Sequence, residues 1–136
     1  MEIDFWVDIN PVAKGRPRFY TAGKFVGTYT PEKTMIFEAQ LLLASRKHAP
    51  KKPLQGPVMI WLDIGMAIPA SRKKTLPGEF HIIKPDIDNL LKSALDPLNG
   101  LFWKDDAQIC RVTMSKQYSD KPGIRYRIYA PLDIEE

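Results

Sequence analysis

Residues 84–108, KPDIDNLLKSALDPLNGLFWKDDAQ, place acidic residues on both sides of one amphipathic segment. Asp86 and Asp88 open the stretch, and Asp105 and Asp106 close it. Between the two pairs, apolar residues recur at the helical spacing of three and four positions. These residues are Ile87, Leu90, Leu91, Ala94, Leu95 and Leu98. A proline and an Asn-Gly pair near the end of the stripe indicate where the helix stops. The stretch therefore predicts a helix with two carboxylates at each end.

The chain on either side of this helix predicts β-strands. Residues 3–9 alternate between apolar and polar, whereas residues 57–66 are apolar on both faces and predict a buried central strand. Residues 109–118 and 124–130 are rich in β-branched and aromatic residues and flank a turn sequence, which predicts a terminal β-hairpin. A short hairpin or a loop is also expected at residues 19–26.

Another helix is expected before the central strand. Thr30 is predicted to be its N-cap, Pro31 its first residue and Lys47 its approximate end. The stripe expected to face the core consists of Met35, Ile36, Ala39, Leu42, Leu43 and Arg46. The elements then follow as strand, hairpin, helix, strand, helix and two strands. This order predicts one α+β domain over residues 1–136, with a mainly antiparallel or mixed sheet and two principal helices.

The chain is basic, with 20 lysines and arginines against 16 acidic residues and a formal net charge of +4 over 136 residues. Its cations are clustered, and a basic surface around an acidic site suits a polyanion such as nucleic acid. Solvated surface side chains are the ordinary explanation for any single cluster. The cations expected to contact nucleic acid are Lys14, Arg16, Arg18, Arg72, Lys73, Lys74, Lys84 and Lys116.

Several classes of protein are disfavoured by what the sequence contains. The single cysteine, Cys110, forms no intramolecular disulfide, and its apolar neighbours predict that it is at least half-buried. His48 and His81 stand alone, so a zinc site of the Cys/His type has no support. The spacing of the acids does not match a calcium-binding EF-hand loop. The first residues carry no targeting pattern and no stretch is apolar for long enough to span a bilayer, so a cytoplasmic protein is expected.

The first acidic pair has a geometry that depends on where the helix begins. Inside a helix Asp86 and Asp88 would point roughly 200° apart, whereas in an extended segment they lie on the same side. Pro85 favours extended backbone before it, so we expect both acids in an extended lead-in, with Asp88 as the N-cap. Lys92 would follow one turn along the same helix face as Asp88.

Two interpretations of these carboxylates are open. As structural residues they would cap the helix and form an ordinary pair between Asp88 and Lys92. As a metal site they would hold Mg²⁺ or Mn²⁺ through hard oxygen ligands and leave positions for water and phosphate, which is the chemistry of phosphodiester hydrolysis. The second pair, Asp105 and Asp106, favours the metal because crowded carboxylates repel one another unless a cation is bound.

Three segments together resemble the RusA family of Holliday-junction resolvases. They are residues 85–92 (PDIDNLLK), 94–100 (ALDPLNG) and 102–108 (FWKDDAQ), and residues 14–18 (KGRPR) resemble a basic element near the start of many members. The resemblance implies a homodimeric endonuclease that uses Mg²⁺, with Mn²⁺ able to substitute. Such an enzyme nicks four-way junction DNA symmetrically in recombination and repair, and is common in bacteria, phages and prophages.

The resemblance also implies roles for individual residues. The metal-binding and catalytic carboxylates fall on Asp86, Asp88 and Asp106, Asp105 is a supporting ligand, and the catalytic lysine falls on Lys92.

The chain departs from the best-known members of the family in two places. It has a Lys-Pro pair in place of an arginine run, and its insertion at residues 69–78 is longer; both departures affect the expected DNA contacts. A nuclease of flaps or forks and a non-catalytic DNA-binding protein of the same fold are the alternatives. For the dimer interface, Phe102, Trp103 and the first hairpin are the candidates.

Overall fold

The structure, a computed structural model, describes residues 1–15, 17–72 and 74–134. Its strands and helices follow the chain as β1 (Glu2–Asp8), β2 (Arg18–Ala22), β3 (Phe25–Tyr29), α1 (Glu32–Ser45), β4 (Val58–Ala67), α2 (Ile87–Leu95), β5 (Ile109–Ser119) and β6 (Gly123–Tyr129). Three short 3₁₀ turns accompany these elements. One extends α1 at Arg46–His48, one extends α2 at Asp96–Leu98, and one precedes β5 at Asp106–Gln108. The small α+β domain with two helices and a mixed sheet confirms the predicted fold class.

Four strands form one sheet in the order β1-β6-β4-β5. The pairs β1–β6 and β6–β4 are antiparallel, whereas β4 and β5 are parallel. The central position predicted for β4 is confirmed. The predicted terminal hairpin is wrong, because β4 lies between β5 and β6 and pairs with both. Because β4 and β5 are parallel, the chain between them has to cross over the sheet, and α2 lies in that crossover.

One face of the sheet carries the core. Phe5 on β1, Tyr126 on β6 and Leu62 on β4 are buried and lie in register across three strands. The residues between them point to the other face, where Arg125 donates two hydrogen bonds to the Asp4 carboxylate. The alternation seen in the sequence of β1 therefore separates a helix-covered face from an open one.

The helix α1 buries a face that the sequence did not predict. Its buried residues are Thr34, Phe37, Leu41 and Ser45. Most of the predicted stripe is exposed, and only Leu42 within it is half-buried. Since apolar residues occur all round this helix, periodicity could not decide which face packs inward. The N-cap is Pro31 rather than Thr30, and regular α-helix ends at Ser45, before the predicted Lys47.

A hydrogen bond between β6 and α2 joins the sheet to the helix. The buried Tyr126 hydroxyl donates to the Ala94 carbonyl at 2.6 Å, and burial raises the pKa of Tyr126, so that the group stays protonated as a donor. Phe102 and Trp103, which were candidates for a dimer interface, are both 0% exposed and belong to the core. That prediction is wrong because the turn after α2 folds back against the sheet.

Of the two alternatives for residues 19–26, the structure shows the hairpin: β2 and β3 form a separate two-stranded sheet. Gly23 has a φ of 61° in its turn, a backbone conformation that glycine adopts without strain.

Cys110 is exposed rather than buried, because the register of β4 and β5 shifts beside it. Within the described ranges, no helix combines the length and apolar character needed to cross a membrane.

We expect Tyr126→Phe to lower the free energy of unfolding by about 1–3 kcal/mol, because the buried Ala94 carbonyl loses its donor. Urea denaturation at neutral pH measures this change. Tyr129→Phe removes the same hydroxyl from a half-buried position of the same strand and should leave the midpoint unchanged. Equal effects of the two substitutions would contradict the assignment.

Candidate active site

Asp86 and Asp88 lie at the start of α2. Asp86 has extended backbone, with φ −69° and ψ 151°, and occupies the N-cap position, while Asp88 lies inside the first turn. The N-cap prediction for Asp88 is therefore wrong by two residues, because the helix begins at Ile87, directly after the extended residue Asp86. The Asp86 side chain makes no capping hydrogen bond. Both carboxylates are exposed, so both are accessible to a ligand.

Lys92 lies one helical turn after Asp88 and is exposed. Among the described residues, the ion pairs are those of Lys14, Arg125 and Arg127, and Lys92 belongs to none of them. The ordinary pair between Asp88 and Lys92 is thus not formed. A cation and a carboxylate remain exposed side by side on one face of the helix.

Asp105 and Asp106 have separate structural partners. Asp105 caps the 3₁₀ turn that precedes β5: its Oδ1 accepts from the backbone N–H of Ala107 at 3.1 Å, and its own N–H donates to Gln108 Oε1. The buried Trp103 ring donates through Nε1 to Asp106 Oδ1 at 2.9 Å. Asp105 therefore serves the local turn, whereas Asp106 is oriented by a core residue and keeps its second carboxylate oxygen for another ligand.

The chain alone does not gather these acids into one cluster. Across residues 1–15, 17–72 and 74–134, no three acidic, histidine or cysteine side chains are placed to hold a metal together. The structure brings Asp86 and Asp88 to one helix start and places Asp106 immediately before β5. Like-charged carboxylates repel one another when no cation lies between them, so this separation is the arrangement expected of the chain by itself.

Lys116 supports the segment that leads into Asp86. Its ammonium donates to the carbonyls of Ile83 and Pro85, both at 2.7 Å. The backbone of Lys116 also accepts from the His81 N–H at 3.2 Å, and neighbouring backbone bonds extend this contact along the outer edge of β5. Lys116, expected to contact nucleic acid, is thus engaged with the protein itself and fixes the backbone before the first acid.

Lys14 is engaged in the same way. Its ammonium pairs with Glu38 on α1 and with Asp96 after α2, both at 2.8 Å. Partial burial disfavours the charged form, but the two carboxylates outweigh burial and raise the pKa of Lys14. The next residue, Gly15, donates its N–H to Thr34 Oγ1. This basic segment therefore joins the two helices.

The other cations expected at a nucleic-acid surface are more accessible. Arg18, Lys74 and Lys84 are exposed. Arg72 is also exposed, and its guanidinium donates to the Tyr118 hydroxyl at 2.9 Å. Arg72 and Lys74 line an open groove with Ala70, Ser71, Thr75 and Glu79. Arg16 and Lys73 lie outside the described residues.

Sequence reasoning missed the supporting residues of the site, Trp103 and Lys116. The spacing of Trp103 and Asp106 could have indicated their hydrogen bond, since residues three apart are neighbours in a turn. Lys116 gave no such signal, because its partners are backbone carbonyls more than thirty positions away.

His81 is a buried titratable residue beside the segment that Lys116 supports. Its ring packs against Tyr118 with a centroid distance of 4.9 Å, and its Nδ1 has no partner among the described residues. Burial, followed by repulsion from Lys116 and Arg72, lowers the pKa of His81 below its ordinary value of 6.5. The folded protein therefore favours the neutral imidazole.

Lys116→Met should loosen the backbone before α2, because two charge-assisted hydrogen bonds are lost. We expect amide hydrogen exchange over residues 82–90 to accelerate by at least about tenfold, measured by mass spectrometry. Lys116→Arg keeps a donor and should exchange at a rate nearer to that of the wild type. Lys84→Met removes an exposed neighbouring cation as a control. Unchanged exchange in Lys116→Met would refute the supporting role.

His81 should make stability depend on pH. Because the unfolded chain protonates His81 more readily, its contribution to stability is complete above the ordinary pKa and is lost as the pH falls through the lowered folded pKa. We expect the free energy of unfolding to fall more steeply from about pH 7 to pH 5 in the wild type than in His81→Phe. Parallel slopes in urea denaturation would contradict this.

Comparison with known proteins agrees with this description. The sequence profile of the family described as Endodeoxyribonuclease RusA matches residues 8–129. A relative, the uncharacterized protein YqaN of Bacillus subtilis (strain 168), is 34% identical over 134 residues, which is 93% of this chain and 94% of the relative. The match includes both acidic pairs, α2 and the strands β4, β5 and β6. The chain therefore belongs to the RusA endodeoxyribonuclease family.

Proposed function

We propose that the chain is a Mg²⁺-dependent endonuclease that resolves four-way DNA junctions by paired nicks, in recombination and repair. The observation that carries this proposal is the pair of exposed carboxylates at the start of α2, with Lys92 one turn further on. Asp86 makes no capping bond and Asp88 is not paired with Lys92, so ordinary structural roles do not account for them. Family membership supports phosphodiester hydrolysis of DNA.

The donor set fits a hard divalent cation. Carboxylate oxygens are the ligands that Mg²⁺ and Mn²⁺ prefer, and Asp86 and Asp88 would hold the ion, with Asp106 as a third ligand. Asp106 can contribute one oxygen while Trp103 orients the other. When bound, the ion would lower the pKa of a water molecule and neutralise charge on the phosphate. Asp105, already a turn cap, is the least suited of the four.

Lys92 would bind and stabilise the negative charge that develops on the scissile phosphate. An exposed ammonium without a carboxylate partner among the described residues can approach a phosphate oxygen. The start of α2 adds to this, since unpaired backbone N–H groups and the helix dipole favour anions there. Lys116 would act indirectly, by holding the backbone before Asp86: its ammonium binds the carbonyls of Ile83 and Pro85, on either side of Lys84.

The DNA backbone would be bound by the accessible cations. We assign this role to Arg18, Arg72, Lys74 and Lys84, and also to Arg16 and Lys73, which extend the same basic segments. Lys14 and Lys116 are assigned instead to supporting the protein, because protein groups already bind their ammonium groups. Phosphate contacts of this kind make binding fall steeply with salt.

Resolution of a junction requires two cuts in strands related by near two-fold symmetry. A homodimer with a two-fold axis would present one site to each of these strands. We place this activity in the cytoplasm of a bacterium, on chromosomal, phage or prophage DNA. The metal site by itself does not distinguish a junction from other DNA structures. Cleavage of flaps and forks is therefore tested together with junction resolution, and so is DNA binding without cleavage.

The Asp88→Asn variant tests the catalytic assignment. It keeps the size of the side chain but removes the charge, so we expect junction cleavage to fall by at least roughly 100-fold while junction binding persists. Asp120→Asn changes an exposed acid in the turn between β5 and β6 and should cleave normally. Labelled junction, flap, fork and duplex DNA are incubated with each protein in Mg²⁺ or in EDTA.

Each outcome of that experiment has one meaning. Paired nicks confined to the junction, dependent on Mg²⁺ and lost only in Asp88→Asn, establish a resolvase. Equal cleavage of flap, fork or duplex DNA indicates a nuclease of broader structure preference. Binding without cleavage of any DNA indicates the non-catalytic alternative, and normal cleavage by Asp88→Asn overturns the assignment of the site.

A further inference from the structure

Helix α1 has an exposed apolar stripe in addition to the stripe that it buries. Met35 is 58% exposed, Ile36 50% and Leu43 73%, and exposed Ala39 lies between them. At about 100° per residue, this stripe is centred roughly 180° from the buried residues. A surface helix ordinarily presents polar residues on that side. An apolar stripe of this kind indicates an interaction surface.

We propose that a second copy of this chain covers the stripe, with the two α1 helices antiparallel across a two-fold axis at Ala39. This inference rests on the proposed function, which requires a dimer, and it assigns the interface. Nucleic acid is a poor fit, because DNA-binding surfaces are basic whereas this stripe is apolar.

The residues of α1 are arranged symmetrically about Ala39. Met35 and Leu43 lie equally far from it on opposite sides, so an antiparallel pairing places Met35 opposite Leu43 of the partner subunit. Ala39 at the centre is small, which lets the helix axes approach closely. A two-fold contact pairs positions that lie equally far from the axis, whereas a contact between two different surfaces does not require this spacing.

The charges at the two ends of the stripe are complementary in the same arrangement. Glu32 begins α1 and Arg46 directly follows it; both are exposed and both lie on the side of the stripe. They too are equally far from Ala39, so each Glu32 meets Arg46 of the partner subunit. Neither residue forms an ion pair within the described chain. The helix dipole alone would favour both charges, but it does not explain the apolar residues between them.

The area of the surface requires a contribution from the hairpin that directly precedes α1 in the chain. The large side chains of the stripe expose about 350 Å², less than the roughly 800 Å² per partner of a standard interface. Strands β2 and β3 expose Phe19, Tyr20, Phe25, Val26 and Tyr29. Tyr20, Phe25 and Tyr29 share one face of the hairpin, whereas Phe19 and Val26 lie on the other. At roughly 150–250 Å² for a whole aromatic side chain, the face with Tyr20 adds about 300 Å², which brings the total to the lower end of the standard range. An isolated two-stranded hairpin is marginally stable in water, so packing against a partner would also stabilise it.

Sedimentation equilibrium of the full chain tests the apolar part of this interface. We expect a wild-type dimer with a dissociation constant near 1 µM or tighter. Leu43→Lys should weaken it by at least about 30-fold, whereas Ile134→Lys, which changes a residue that is 83% exposed elsewhere, should not weaken it. Circular dichroism and thermal unfolding verify that both variants fold. A monomeric wild type, or a dimer insensitive to Leu43→Lys, overturns the proposal.

A charge exchange tests the antiparallel arrangement. Glu32→Arg and Arg46→Glu should each weaken the dimer by about tenfold, and the double variant should recover most of the loss, because each pair is re-formed with reversed sign. No recovery in the double variant overturns the antiparallel pairing.

The proposed interface and the proposed nuclease activity can be refuted independently of each other. Junction cleavage by a dimer that is insensitive to Leu43→Lys would leave the proposed function intact and refute the interface. A dimer that responds as expected but cuts no DNA would support the interface and refute the function.

Discussion

The parallel pairing of β4 with β5 is the constraint on which the rest of the structure depends. Parallel neighbours cannot be joined by a tight turn, so the chain between them has to cross the sheet, and α2 and both acidic pairs lie in that crossover. The same pairing leaves one edge of β5 uncovered until residues 78–81 bond to it. The segment before Asp86 is thereby anchored to the strand that Asp106 precedes. One choice of strand pairing thus makes β5 both the support of the segment before the first acidic pair and the strand that follows the second pair.

Individual polar contacts then refine what the sheet positions. The Lys116 ammonium fixes two carbonyls before α2, the Trp103 indole orients Asp106, and Tyr126 joins the sheet to α2. None of these groups belongs to the acidic motif itself. Each is partly or fully buried, where a hydrogen bond is more costly to lose than at the surface. The exposed carboxylates are therefore carried by a backbone that the protein interior holds in place, which suits a site that binds a cation and a phosphate.

In the proposed dimer, helix α1 connects the site to the second copy of the chain. Its inner stripe packs in the core and its outer stripe is exposed, while Lys14 links it through Glu38 to Asp96 at the end of α2. An apolar outer face gains free energy when a partner removes it from water. Dimerisation through α1 would place the partner on the helix that already contacts the element carrying Asp88 and Lys92.

The sequence by itself determined the fold class, the extent of the main elements, the central position of β4 and the acidic residues at the ends of α2, because hydrophobic periodicity and turn residues act locally. The tertiary structure alone decided three things. It separated β5 from β6, it selected Thr34, Phe37, Leu41 and Ser45 as the inner face of α1, and it engaged Lys14 and Lys116 with protein groups. The physical reason is common to all three: a strand partner, a buried helix face and a hydrogen-bond acceptor are chosen by residues far away in the chain. Local patterns contain no information about these choices.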